Sequence, residues 1–159
     1  SNELMAFSYN HLFGLNVTGL RFFTVYGPWG RPDMAMYIFL KKILNKEPIE
    51  VYNNGDMERD FTYIDDIVDG IKKSIKKSYQ SEIFNLGNNK SENILDVIKI
   101  IEYYIGEKAE IKFKEMPLTE VKKTFADIGY SKKMLGYKPK VSIREGIPKF
   151  IDWYKKFIN

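Results

Sequence analysis

The stretch "LRFFTVYGPWGRPDMAM", residues 20–36, holds the side chain best placed to grip a ligand. An apolar strand runs straight into a turn dense with Gly, Pro and Trp, and Arg31 stands in the middle of that turn. A plain connection needs only a few turn residues, so this reads as a strand end built to meet a ligand. A guanidinium offers a planar, two-point grip on a carboxylate. On residues alone, a solvated loop arginine is an equal reading. Thr24 lies at the end of the strand, where α/β sheets bind ligands. A β-branched strand residue satisfied by the backbone is the simpler reading of it. The segment Tyr26, Gly27, Pro28 is by itself an ordinary turn.

Other chemistry is scarce. Asp65 and Asp66 could pass for paired carboxylates, but a helix start gives them a dipole and capping role. The single His, His11, cannot build a His-rich metal site and reads as a solvated or packed helix residue. With no Cys there are no disulfides, thiolate nucleophiles or Cys-based metal sites, which suits a reducing cytoplasm. No G-x-G-x-x-G phosphate loop follows an early strand, and no complete acid/base pair or triad is present. Alone, the chain lacks the parts of a self-sufficient enzyme, and it offers neither a catalytic residue nor a metal site.

The elements that must position these residues are those of one ordinary domain of 159 residues. A composition 44% hydrophobic and 29% charged is globular. The net charge of +4 is spread along helices, with no basic block interleaved with aromatics, so nucleic-acid binding is not indicated. No run of about 18 apolar residues marks a membrane span, and "SNELMAFSYNHLF" lacks the features of a signal peptide.

Residues 3–13 predict a helix closed by Gly14, with apolar residues on more than one face, as for a helix packed on two partners. Residues 17–25 predict one strand buried on both faces, with Phe22 and Phe23 in the core. Met36, Phe39, Leu40, Ile43 and Leu44 recur at helical spacing. "IEVYNNG" predicts a short strand and turn, and "RDFTYIDD" leads into a helix carrying Ile67, Val68, Ile71 and Ile75. "EIFNLGNN" predicts a strand. Ser91 is expected to cap a helix with the stripe Ile94, Val97, Ile98, Ile101 and Ile105. "AEIKFKEM" alternates as a strand does. A capping box from Ser142 to Glu145 opens a last helix lined by Ile143, Ile147, Phe150, Ile151 and Tyr154. Alternating helices and strands predict an α/β fold.

Several segments, in order, resemble the extended short-chain dehydrogenase/reductase family of NAD-dependent nucleotide-sugar epimerases and dehydratases, and UDP-glucuronate 4-epimerases most of all. They are "SNELMAFSYNHLFGLNVTGLRFFTVYGPWGRPDMA", "RDFTYIDDIVDGI", "FNLGNN", "TFADIGYSKKMLGYKPKVSIREGI" and "FIDWYKKF". The resemblance implies that residues 1–159 form the C-terminal half of such an enzyme. That half would be the last parallel strands of a Rossmann-like fold, interleaved with a small substrate-binding domain. The NAD-binding half would be missing, and the catalytic Tyr-x-x-x-Lys would lie just upstream of Ser1. The implied enzyme is a cytoplasmic homodimer that inverts C4 of a UDP-sugar by transient oxidation with NAD. This chain would be inactive by itself and prone to self-association.

In that frame Thr24 would hydrogen-bond the substrate, and Tyr26, Gly27 and Pro28 would pass beside the nicotinamide. Arg31 would face a C6 carboxylate. Arg59 would contact the diphosphate, and Asp60 would be structural, pairing locally or capping. Tyr52 would flank the nucleotide base, although a strand aromatic is more often core. One loop departs from the family's pattern: a "MQPGDV"-like segment is "MPLTEV" here, residues 116–121, with Glu120 in place of Asp. The alternatives are dehydratase, decarboxylase or reductase chemistry within the same family, or a non-catalytic binding module.

Overall fold

The computed structural model describes residues 1–158. In chain order its elements are α1 (Asn2–Phe13), β1 (Val17–Phe22), β2 (Thr24–Tyr26), α2 (Ala35–Leu44), β3 (Ile49–Tyr52), β4 (Glu58–Tyr63), α3 (Ile64–Ile75), β5 (Ser81–Leu86), β6 (Ser91–Asn93), α4 (Ile94–Ile105), β7 (Ile111–Lys114), α5 (Gly129–Leu135) and α6 (Ile143–Phe157). β1 pairs with β5, β2 with β4, and β3 with β7, all in parallel, while β4 and β6 run antiparallel. Parallel neighbours joined through helices make this an α/β fold.

The expected single strand at 17–25 is two. The chain changes partner at Phe23: Phe22 lies opposite Leu86 of β5, and Thr24 lies opposite Phe61 of β4. That switch turns Phe22 outward, 51% exposed, so it is not a core residue; Phe23 packs on the smaller core cluster. β1 is therefore only half-buried. The larger core cluster joins α2, α4 and α6 to β3 and β4, and the smaller one joins β5 to α3 and α5.

Local signals hold where a helix is framed by its own residues. Gly14 closes α1 in the left-handed region, at φ 65°. The capping box at Ser142 and Glu145 opens α6, whose five expected apolar residues are all buried. The Ser142 backbone N–H holds the Glu145 carboxyl below the usual carboxylate range. The cap of α4, however, is Asn93, which accepts from the Leu95 N–H at 2.8 Å; Ser91 instead donates to the Thr124 carbonyl. In α3 the packed positions are Asp66, Ile67, Gly70 and Ser74, and Val68 and Ile75 are exposed. A side chain at Gly70 would meet Leu86 at 2.8 Å, so this face packs closely on the sheet through small residues. Asp66 serves neither as cap nor as acid/base group: its two oxygens accept from the N–H groups of Lys140 and Val141.

α1 buries none of its residues, and Leu4, Met5, Phe7, Tyr9, Leu12 and Phe13 are all exposed. Polar contacts hold it to the sheet. Glu3 grips Arg21 at 2.6 and 2.7 Å, and the Asn10 side chain reaches the Gln80 carbonyl. An apolar face of this size is expected to drive association. Light scattering of the chain should give a mass above 18.7 kDa. The double substitution Leu4→Glu and Leu12→Glu should return it to that value; a wild-type chain that is monomeric at all concentrations would contradict this.

Candidate functional site

A cavity of about 640 Å³ opens along α2, between that helix, β3 and β4. This lies within the size range of small-molecule sites. Its apolar floor includes Phe39, Val51 and Phe61, all buried. Three of the four residues expected to bind substrate line it: Thr24, Tyr52 and Arg59. They come from three different strands, and each arrives there for a structural reason.

Thr24 opens β2 and does not end a strand as expected, because the partner switch at Phe23 splits the run; it lines the cavity from that position. Tyr52 is the last residue of β3, half-buried against the larger core and bordering the cavity. Arg59 lies in β4, opposite Glu92 of β6. Its side chain is 14% exposed, and its head group makes three hydrogen bonds. One terminal nitrogen donates to the carbonyls of Glu58 and Lys122 at 3.0 and 3.3 Å. The other donates to the Glu120 carboxylate at 2.8 Å.

Arg31 stands beside the cavity and not in its wall, although the adjacent Pro32 and Asp33 do line it. Its side chain is 75% exposed and forks onto Asp33, with Nε 3.0 Å from Oδ1 and a terminal nitrogen 2.5 Å from Oδ2. This fork pulls the Asp33 carboxyl below its ordinary range. The geometry is the two-point carboxylate grip that a guanidinium favours, here on an internal carboxylate.

The Tyr26–Pro28 segment is mostly enclosed by the chain itself. Tyr26 is buried against Phe61 and Tyr63, and its hydroxyl points at the Ser142 carbonyl, 3.4 Å away. Burial pushes the Tyr26 phenol well above its ordinary value. Gly27 has φ 136°, and a Cβ there would lie 2.6 Å from Ile64, so glycine serves close packing at this turn. Pro28 is half-buried.

Two residues matter more than their sequence signals suggested. Asp60 is fully buried, and its backbone partners are distant in sequence. Its oxygens accept from the N–H groups of Asn88 (2.7 Å), Lys90 (3.2 Å) and Ala126 (3.0 Å), which are 28, 30 and 66 residues away. It is structural, as expected: the Thr62 hydroxyl, two residues on, makes a local contact at 3.4 Å, and the distant N–H groups add to it. Glu120 lies in the loop that departs from the family pattern, and that departure was its one signal. His11 is exposed on α1, away from the cavity. Among the described residues no group of three or more Asp, Glu and His side chains is placed to hold a metal, and no helix is long and apolar enough to cross a membrane.

The sequence signature of the NAD dependent epimerase/dehydratase family matches residues 1–87, more than half of the chain. An uncharacterized protein of Methanocaldococcus jannaschii is 56% identical over 154 residues, covering 97% of this chain and 47% of that protein. A UDP-glucuronate 4-epimerase of Thermodesulfobacterium geofontis is 43% identical over 158 residues, covering 99% of this chain and 49% of that enzyme. The crystal structure of UDP-glucuronic acid 4-epimerase from Bacillus cereus, in complex with UDP-glucuronic acid and NAD, superimposes with a TM-score of 0.93 at 36% identity, over 98% of this chain and 50% of that one. The chain spans about half the length of the curated relatives it matches. It belongs to the NAD dependent epimerase/dehydratase family.

Proposed function

We propose that this chain forms the nucleotide-sugar pocket of a UDP-glucuronate 4-epimerase. The observation that carries the reading is the convergence of Thr24, Tyr52 and Arg59, from three strands, on one cavity of about 640 Å³. Arg59 is the cavity's deeply set cation and takes the diphosphate. Tyr52 flanks the base. Thr24 meets the sugar, and Arg31, beside the cavity, holds the C6 carboxylate in place of Asp33.

NAD, when bound, supplies the hydride acceptor and donor at C4. This chain's contribution to it is small: with the Tyr26 ring in the core and Gly27 packed on Ile64, the segment meets the cofactor's edge through Pro28 and backbone. The dinucleotide site and the catalytic Tyr-x-x-x-Lys belong to a part of the polypeptide outside these residues. Residues 1–159 are accordingly the substrate-binding half, inactive alone, of a protein working on UDP-sugars as a homodimer in the cytoplasm.

The test is turnover. The full-length polypeptide, supplied with NAD and UDP-glucuronate, should give UDP-galacturonate, separable from the substrate by anion-exchange chromatography. Formation of a 4-keto, pentose or deoxy product with no epimer would refute the assignment in favour of decarboxylase or dehydratase chemistry.

A further inference from the structure

The carboxylates around the cavity are all engaged by neighbouring side chains, while Lys41 and Lys42 of α2 also line it with no ion-pair partner among the described residues. Asp33 is held by Arg31, Glu50 is within 3.4 Å of Lys114, and Glu47 accepts from the Asn45 amide at 3.1 Å. Arg59, the cavity cation with the most buried head group, is matched by Glu120 at 2.8 Å. Both of these side chains line the cavity. Two backbone carbonyls hold one terminal nitrogen, and a ligand that approaches the other competes with Glu120 for it.

The segment that carries Glu120 is lightly held. It leaves β7 at Lys114 and regains backbone pairing only where the Lys122 carbonyl accepts from Glu58 and Thr124 donates to Glu58. In between, the backbone contact among the described residues is one turn, from the Glu120 N–H to the Pro117 carbonyl at 3.0 Å. Leu118 is fully exposed and Val121 is exposed, so little apolar burial resists displacement. The pair itself is partly exposed on the Glu120 side, and such pairs contribute modestly.

We infer that Glu120 is a displaceable latch: its carboxylate occupies the anion position on Arg59 while the cavity is empty, and an incoming phosphate group expels it together with the segment 115–121. A phosphate and a carboxylate cannot share one guanidinium nitrogen without like-charge repulsion, so binding and release are coupled. The inference rests on the reading of Arg59 as the diphosphate residue. It adds that the site is self-inhibited, and that a ligand gains entry by carrying more negative charge than one carboxylate.

Calorimetric titration with inorganic pyrophosphate, on the whole chain, separates the two claims. Removing the latch charge with Glu120→Gln should tighten binding by roughly two- to fivefold, the worth of a partly exposed ion pair. Arg59→Ala should abolish binding with or without the Glu120 substitution. In the wild-type chain, pyrophosphate should also speed amide hydrogen exchange at Leu118, Thr119 and Val121. Equal or weaker binding by Glu120→Gln, with Arg59→Ala still weakened, overturns the latch and leaves the diphosphate reading standing. Binding unaffected by Arg59→Ala, or no binding by any variant, overturns both.

Discussion

Asp60→Ala is expected to cost about 3 kcal/mol of unfolding free energy, because the buried Ala126 N–H loses its acceptor at about 1–3 kcal/mol and the part-buried N–H groups of Asn88 and Lys90 lose theirs at a smaller cost each. Those donors lie on two separate loops, at Asn88 and Lys90 and at Ala126, so one carboxylate fastens β4 to both. The neighbouring contacts fail with it. The Asp60 N–H donates to the Thr124 hydroxyl, and Thr124 is the anchor of the chain that returns from the Glu120 loop. Arg59, one residue away, then loses the fixed backbone that aims it. Against a typical stability of about 5–15 kcal/mol, such a loss leaves a marginal domain. Asp60→Asn should recover only part of it, since one oxygen survives and the new amide faces N–H groups. Urea denaturation of the three proteins checks this; a loss below about 1 kcal/mol for Asp60→Ala would mean that other acceptors replace the carboxylate.

The second large effect concerns the sugar. If the proposed epimerase assignment holds, Arg31→Ala in the full-length polypeptide should lower kcat/KM for UDP-glucuronate by on the order of 10²-fold, the usual size of a lost charge-assisted, two-point contact, about 2.7 kcal/mol. UDP-glucose, which has no carboxylate, should lose little. The bias between the two substrates is the readout, since a damaged fold would slow both. Asp33→Ala is the complementary variant. It frees the guanidinium that now forks onto Asp33, so the KM for UDP-glucuronate should hold or fall. Equal losses on both sugars with Arg31→Ala would remove this arginine from carboxylate recognition.

What the sequence made legible is what short-range chemistry decides. The Ser142–Glu145 box and Gly14 are read from neighbouring residues, and the structure has them as expected. Ser91 and Asn93 are both able to cap and lie two residues apart; Ser91 is taken by the Thr124 carbonyl, a residue 33 positions away that no local pattern includes. β4 carries Glu58, Arg59 and Asp60, which give no apolar alternation, because these charges are held by tertiary partners. α5 is a helix of seven residues, too short for a periodic signal. The break at Phe23 has the same origin: each half of a continuous apolar run satisfies a different neighbouring strand. At the site, residue types and the family resemblance led to Thr24, Tyr52 and Arg59. The internal carboxylates on Arg31 and Arg59 come from tertiary geometry.

The most direct test of the central claim is to titrate the isotopically labelled chain with UDP-glucuronate and follow its backbone amides by NMR. The account predicts saturable shifts concentrated at Thr24, Tyr52, Arg59 and the α2 face that lines the cavity, and their loss in Arg59→Ala. Saturable binding that maps elsewhere and survives Arg59→Ala would contradict it.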